Sequence, residues 1–327
     1  MMIGNTMTLK KLKAPGMLLL PWLAVMGSCQ PDAPVDSDFS FYDDGSALTL
    51  YEGPRPILSV LQGRREPPEG MDGSYWRSNY IHPIFGLDGE QLTEDFPEDH
   101  PHHRGLFWTW PDVTFGDQTI DPWALIGARQ LFREWTGREA GAESAKIAYT
   151  AGWRLDEGWD AFVEENITVT AYKADNVGRS IDFSLRFENV SEEEVTLRGR
   201  GETGYGGFNI RPDGDRPGIR ITTEEGLMED DALVVESGWA DYSSLVSDDT
   251  YAGLSIFQHP DNPGFPHSGW ILRHYGFLGA SWPQYERLVL QPGESFELKY
   301  RVFVHRGDAG SAKVKEKYEA FVQEASR

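Results

Sequence analysis

Three of the eight histidines in the chain, His100, His102 and His103, fall within the stretch DFPEDHPHHRGLFWTW at 95–110. Imidazole is the side chain that titrates nearest neutral pH, so three of them beside Asp99 and Arg104 can exchange protons or hold a metal. In the first case His100 or His103 takes a proton and Arg104 stabilises the anion that develops. In the second, the His-x-His pair supplies two ligands to a divalent metal, and Asp95, Glu98, Asp99 or His82 completes the set, with Arg104 working against the dication. The acid–base reading uses more of the residues present and requires no cofactor. The metal reading stays open beside it.

Two further segments carry chemistry. FQHPDNPGFPHSGWILRHYGFLGASWP (257–283) contains His259, His267, Arg273, His274 and Tyr275, and GETGYGGFNIRP (201–212) contains Glu202, Asn209 and Arg211. Loops so rich in Pro, Gly, aromatic and polar residues commonly line a site carried by a rigid scaffold. Neither histidine region alone holds a complete acid–base set, so the two are expected to meet in space. His259 or Tyr275 would then donate the proton and Arg273 would join Arg104 in stabilising the anion. Trp108, Trp110 and Trp270 lie in these segments and would offer flat faces to sugar rings if exposed. His102, Glu202, Asn209 and Arg211 would complete the substrate contacts.

These groups need a scaffold, and the sequence reads as strands almost throughout. SIDFSLRF (180–187) alternates Ile181, Phe183, Leu185 and Phe187 with polar residues, the period of a strand with one buried face. AFVEENITVTAY, LTLYEG and YAGLSIFQ have similar composition, and RLVLQPGESFELKYRVFVH reads as two strands around a Pro-Gly turn. One helix is expected, over 311–325, where Val314, Tyr318 and Phe321 fall on one face. The expected architecture is all-β, a large antiparallel β-sandwich with a C-terminal helix docked on it. Pro97 and Pro101 keep the histidine stretch out of a central strand. In an extended loop His100 and His102 would share a face, and in a polyproline-like one His100 and His103 would.

Residues 1–29 have the form of a lipoprotein signal peptide: Lys10, Lys11 and Lys13, a short apolar run, then MGSC ending at Cys29, the only cysteine. Cys29 is the expected lipidation site and no intrachain disulfide is possible. Residues 30–40 read as a flexible tether and 41–327 as a single domain. The expected location is outside the cytoplasm, as a periplasmic or outer-membrane lipoprotein whose membrane contact is the lipid anchor alone. Removing the leader takes away three basic residues and no acidic one, leaving 27 Lys+Arg against 52 Asp+Glu, a net of −25. Such a field excludes nucleic acid as a partner, and it excludes a long polyanion unless a local basic cleft overrides it.

The stretches EDFPEDHPHHRGLFWTW, GGFNIR, HPDNPGFPHSGWILRHYGF and PGESFELKYRVFVH together resemble the PmoA-like family of exported bacterial proteins, over about Arg55 to His305. That family often carries the label "methane oxygenase PmoA". A membrane methane monooxygenase subunit needs several spanning helices, and the mature sequence offers no apolar segment long enough. The resemblance implies a β-sandwich protein found among polysaccharide-degrading functions, with motif positions at His100, His102, His103, Arg104, Gly206, Gly207, Arg211, His259, Pro260, Arg273, Tyr275 and Gly276. Where the family pattern places an acidic residue before the paired glycines, this chain has Tyr205, with Glu202 the nearest carboxylate. The function expected is acid–base chemistry, elimination or hydrolysis, on a glycoside or oligosaccharide, as in a lyase or glycoside hydrolase. A sugar-binding surface lipoprotein without turnover and a metal-dependent enzyme are the alternatives.

Overall fold

A computed structural model describes residues 39–156, 158 and 160–326. The expected signal peptide, Cys29 and most of the expected tether lie outside the described residues. The first strand, Phe39–Asp43, takes in the last two residues assigned to the tether.

The fold is an all-β sandwich with one C-terminal helix. Two nine-stranded antiparallel sheets face each other, and a four-stranded sheet adds to them. Asp112–Phe115, Gln118–Ile120, Val195–Arg198 and Leu288–Leu290 form that smaller sheet. In the first large sheet Tyr80–Ile84, Leu106–Thr109, Gly207–Ile210, Phe277–Ser281 and Gly269–Arg273 lie side by side. In the second, Thr250–Gln258, Ser295–Arg306, Gly178–Asn189, Val163–Tyr172 and Ser144–Leu155 follow one another. The Pro-Gly turn before Ser295 therefore does not close a hairpin, because Leu288–Leu290 pairs with Val195–Leu197 while Ser295–Arg306 pairs with its neighbours in the second sheet.

Alternation decides what faces the space between the sheets. Ile181, Phe183, Leu185 and Phe187 point inward, as their spacing requires, and meet Trp108, Phe208, Ile210 and Trp270 from the opposite sheet. The Phe208 ring stacks on Tyr300 across the gap, with centroids 4.5 Å apart. Burying a side chain of this size stabilises the fold by roughly 1.5–3 kcal/mol.

One charged group shares this interior. Glu165 occupies the inward phase of its strand and is fully buried. Its Oε2 accepts from Trp108 Nε1 at 2.7 Å and Asn79 Nδ2 at 2.9 Å. Its Oε1 accepts from Gln130 Nε2 at 2.7 Å and from Trp153 Nε1. Burial raises the carboxyl pKa, and the four hydrogen bonds oppose that rise.

The helix spans Val314–Ala325 and packs Val314, Tyr318 and Phe321 against Trp239, Phe257 and Phe303 on the outer face of the second sheet. It starts later than residue 311 because Ser311 is spent on a turn. The Ser311 hydroxyl donates to Asp308 Oδ1 at 2.7 Å, and the backbone N–H of Asp308 donates to that hydroxyl at 2.9 Å.

Candidate functional site

The histidine stretch is a closed loop over the outer face of the first sheet. It is bridged at its ends by Asp95 and Arg104, and the expected extended geometry gives way at a β-turn in which the N–H of His103 donates to the carbonyl of His100 at 2.8 Å. Pro101 holds the second position of that turn, where its fixed φ is favourable. The reversal places the His100 and His103 rings face to face, with centroids 4.7 Å apart and planes 5° from parallel. His102 stands edge-on to both, at 5.8 and 4.5 Å.

Arg104 pins this loop from within and is fully buried. Its Nε lies 3.3 Å from Asp95, its Nη1 donates to the carbonyls of His103 and Pro101, its Nη2 to that of Tyr75, and its guanidinium covers the Phe96 ring at 3.5 Å. The anion-stabilising role expected of Arg104 is therefore not where its guanidinium is spent; it holds the loop's shape.

Topology supplies the rest. Gly207–Ile210 pairs with Leu106–Thr109 on one side and Phe277–Ser281 on the other, so Arg211 and Tyr275 arrive beside the loop. Gly276 permits the close approach: its φ is +104°, and a Cβ there would meet the Pro212 carbonyl and Gly214 at 2.8 Å. Tyr275 stacks on His100 with centroids 5.2 Å apart, extending the column of rings to three. Arg211 lies 5.1 Å from the Tyr275 ring and donates through Nη2 to Asp99 Oδ1 at 2.8 Å and through Nε to Glu94 at 3.1 Å. Asp99 Oδ2 in turn lies 2.8 Å from His100 Nδ1. The result is a continuous line of guanidinium, carboxylate, imidazole and phenol.

The floor beneath this line is aromatic. Phe107, Trp123 and Phe277 cluster with Tyr80 and Ile271 on the outer face of the sheet, and His103 packs on all three. Tyr205 packs tilted against Trp123, with centroids 5.0 Å apart and planes at 47°, and remains partly exposed, in the place where a carboxylate was expected.

The environment sets the protonation states. Burial first, then the neighbouring His102, His100, Arg211 and Arg77, holds His103 well below the usual imidazole range. Burial, Arg77, His100, Arg104 and Arg200 lower His102 to about 3. Both rings are neutral at pH 7. Burial works against ionisation of Asp99, but the adjacent His100 and the hydrogen-bonded Arg211 outweigh it and keep the carboxyl low. The Tyr275 phenol is pushed up by burial, partly offset by Arg211 and Arg273.

Other expected members stand elsewhere. Arg273 is on the Tyr275 turn, but its Nη1 donates to the carbonyls of Leu272 and Ala232, and its Nε lies 3.9 Å from Asp231, the carboxylate that also holds His274. Asn209 is buried under the floor and donates to the Gly207 carbonyl at 2.6 Å. Glu202 lies exposed on the turn before Tyr205. Trp108, Trp110 and Trp270 are not sugar platforms: they take the inward phase of their strands and spend their indole N–H groups on Glu165, the Trp282 carbonyl and the Ser237 carbonyl.

His259 does not join the cluster. It lies against Phe321 of the helix, on the outer side of the second sheet, in a pocket of about 220 Å³ with Asp182, Lys299 and Arg301. Its Nδ1 accepts from the Asp261 N–H at 3.0 Å. The expected meeting of the two histidine regions thus holds for Tyr275 and fails for His259.

Among the described residues no three His, Cys, Asp or Glu side chains are grouped to hold a metal ion. Imidazole lone pairs lie in the ring plane, and the parallel, separated planes of His100 and His103 share no point where one ion could sit in both.

Residues 40–319 match DUF6807, a family of unknown function, and the chain belongs to that family. A search of curated proteins returns no match. Among solved structures, the GH36 alpha-galactosidase AgaA from Geobacillus stearothermophilus aligns with 83% of this chain and 40% of its own, at 14% identity and a TM-score of 0.38. The heparan sulfate lyase HepC from Pedobacter heparinus aligns with 84% and 36%, at 9% identity and a TM-score of 0.37. The chain thus spans two fifths or less of these proteins, and similarity of this size defines no activity.

Proposed function

We propose that the protein is an exported carbohydrate-active enzyme that performs proton-transfer chemistry on a glycoside at the Tyr275–His100–His103 column. The observation that carries this reading is the line from Arg211 through Asp99 to His100, ending under the Tyr275 ring. A carboxylate fixed by an arginine holds an imidazole in one orientation and stabilises the imidazolium formed when the ring accepts a proton. His100 is about two fifths exposed, so it can reach a ligand, whereas His103 is buried and serves as its stacking support. Tyr275, also exposed and neutral, is the complementary proton donor. The exposed Tyr275 ring, with the partly exposed Tyr205 nearby, provides the aromatic face on which a sugar ring would rest.

The resemblance to PmoA-like proteins supports the same substrate class, and the leader ending at Cys29 supports export with a lipid anchor. No helix among the described residues is long and apolar enough to cross a membrane. A product assay on plant and algal oligosaccharides, run on wild type and His100→Gln, tests the reading. Turnover lost in the variant supports it. Binding without any product in wild type would favour the sugar-binding lipoprotein instead, a role the exposed Tyr275 and partly exposed Tyr205 rings could also serve.

A further inference from the structure

Arg77 enters the strand region just ahead of Tyr80 and is 3% exposed. Its Nη2 donates to the carbonyls of Pro122 and Trp123, its Cζ lies 4.9 Å from the Phe107 ring, and its Nε has no partner. No carboxylate among the described residues forms an ion pair with it. Arg104, Arg129, Arg200, Arg211 and Arg273, by contrast, each have one. Burial, with Arg104 and Arg129 beside it, lowers Arg77 only to about 9, so it remains a cation at neutral pH. A buried charge without a counter-ion costs several kcal/mol.

A second orphan lies across the aromatic floor. Arg211 is 3% exposed, and its Nη1, the one nitrogen not engaged by Glu94 or Asp99, is buried without a partner. Nδ1 of His103 is buried and unpaired too. Phe107 touches both sides of this arrangement, being 4.9 Å from Arg77 and 6.1 Å from the His103 ring. The molecule as a whole carries a formal charge of −22, so a buried guanidinium without a carboxylate partner stands out in an acidic protein.

We propose that the ligand of this site is an acidic sugar, a short oligosaccharide whose ring carries a carboxylate, and that the negative charge completes the unpaired set of Arg77 and Arg211. The proposal rests on the carbohydrate reading above and narrows it. The exposed Tyr275 ring suits the face of a pyranose ring, and a guanidinium with an unpaired N–H suits a carboxylate. A neutral sugar would leave the buried cation uncompensated. The surrounding acidic field keeps long polyanions away, which limits the ligand to short chains.

The charge also selects a reaction. A ring carboxylate acidifies the neighbouring C5–H. The base removes that proton, the electron pair forms the C4–C5 double bond, the C4–O bond breaks, and the departing oxygen takes a proton from the donor. Atoms and electrons balance without an oxidant or a water molecule, so the acidic ligand points to elimination rather than hydrolysis.

The test is a titration calorimetry panel of di- and trisaccharides containing glucuronate, galacturonate, mannuronate or guluronate. Each is paired with its carboxyl-reduced counterpart of the same linkage, and sulfated neutral disaccharides are included. The expected result is that at least one uronate oligosaccharide binds and its reduced counterpart binds at least about tenfold more weakly, the scale of losing a buried charge contact. Arg77→Gln should bring the acidic ligand down to the level of the reduced one, and unsaturated product should appear as ultraviolet absorbance with wild type. If Arg77→Gln does not fold, the salt dependence of wild-type binding replaces it: affinity that is flat with ionic strength overturns the proposal. Equal binding of acidic and reduced partners, or preference for the sulfated sugars, also overturns it while leaving the carbohydrate reading intact. Binding of nothing in the panel overturns both.

Discussion

The imidazole of His100 lies 5.2 Å from the phenol ring of Tyr275, 13° from parallel, although one belongs to a Pro-rich loop and the other to the turn of a hairpin more than 150 residues further along the chain. The contact makes an imidazole and a neutral hydroxyl neighbours. It also gives each a separable contribution, because the ring of Tyr275 can be kept while its hydroxyl is removed.

Tyr275→Phe retains the stack and is expected to lower turnover about 100-fold or more with little change in substrate affinity, the range of general acid–base catalysis. Tyr275→Ala should lose both. Steady-state kinetics with direct binding separates the two effects, and a Phe variant with wild-type turnover removes the phenol from the mechanism.

Asp99→Asn breaks the charged link between Arg211 and His100 while keeping its size. Turnover should fall by about 10²- to 10⁴-fold, as when an orienting carboxylate loses its charge. An unaffected rate would make Asp99 a loop residue only.

Stability should fall on mild acidification because of His102. Its folded-state value of about 3 lies below the ordinary 6.5, so between these limits the unfolded chain binds a proton that the folded one refuses. The stability is present above pH 6.5 and is lost as pH drops through that window, by at most about 1.4 kcal/mol per pH unit for one such group. His103 acts in the same direction. Thermal melts of wild type and His102→Gln between pH 7 and 5 should show a shallower slope in the variant; parallel slopes would sink this account.

Glu165→Gln should destabilise the sandwich by roughly 1–3 kcal/mol, the cost of an unmet buried polar group. The indole N–H groups of Trp108 and Trp153 point at different oxygens and can only donate, so the amide nitrogen of glutamine must oppose one of them. Urea denaturation should show a lower midpoint at unchanged m-value.

The scaffold was legible wherever alternation was clean. SIDFSLRF fixes its own buried face, and the Val314, Tyr318, Phe321 spacing fixes the helix. LFWTW has no such phase, since all five residues are buried, and the sequence alone could not say that Trp108 faces the core while Phe107 faces out. Glu165 was visible in principle as a carboxylate in the apolar phase Val163, Ile167, Val169. Trp123, Arg77, Glu94 and Asp231 gave no local signal, because sheet order and loop closure, not sequence neighbours, bring them to the site. His100 and His103 were expected to share a face in a polyproline-like loop, and they do share one, but through the turn at Pro101.

Leu106–Thr109 carries the interior of the sandwich on one side and the floor of the site on the other. A single-residue insertion or deletion ahead of it would exchange the two, sending Phe107 inward and Trp108 out. Length changes in the histidine loop are therefore not an independent route to new specificity: unless they come in pairs or are absorbed before Gly105, whose position against the Ile81 carbonyl leaves no room for a side chain, they unmake the fold together with the site.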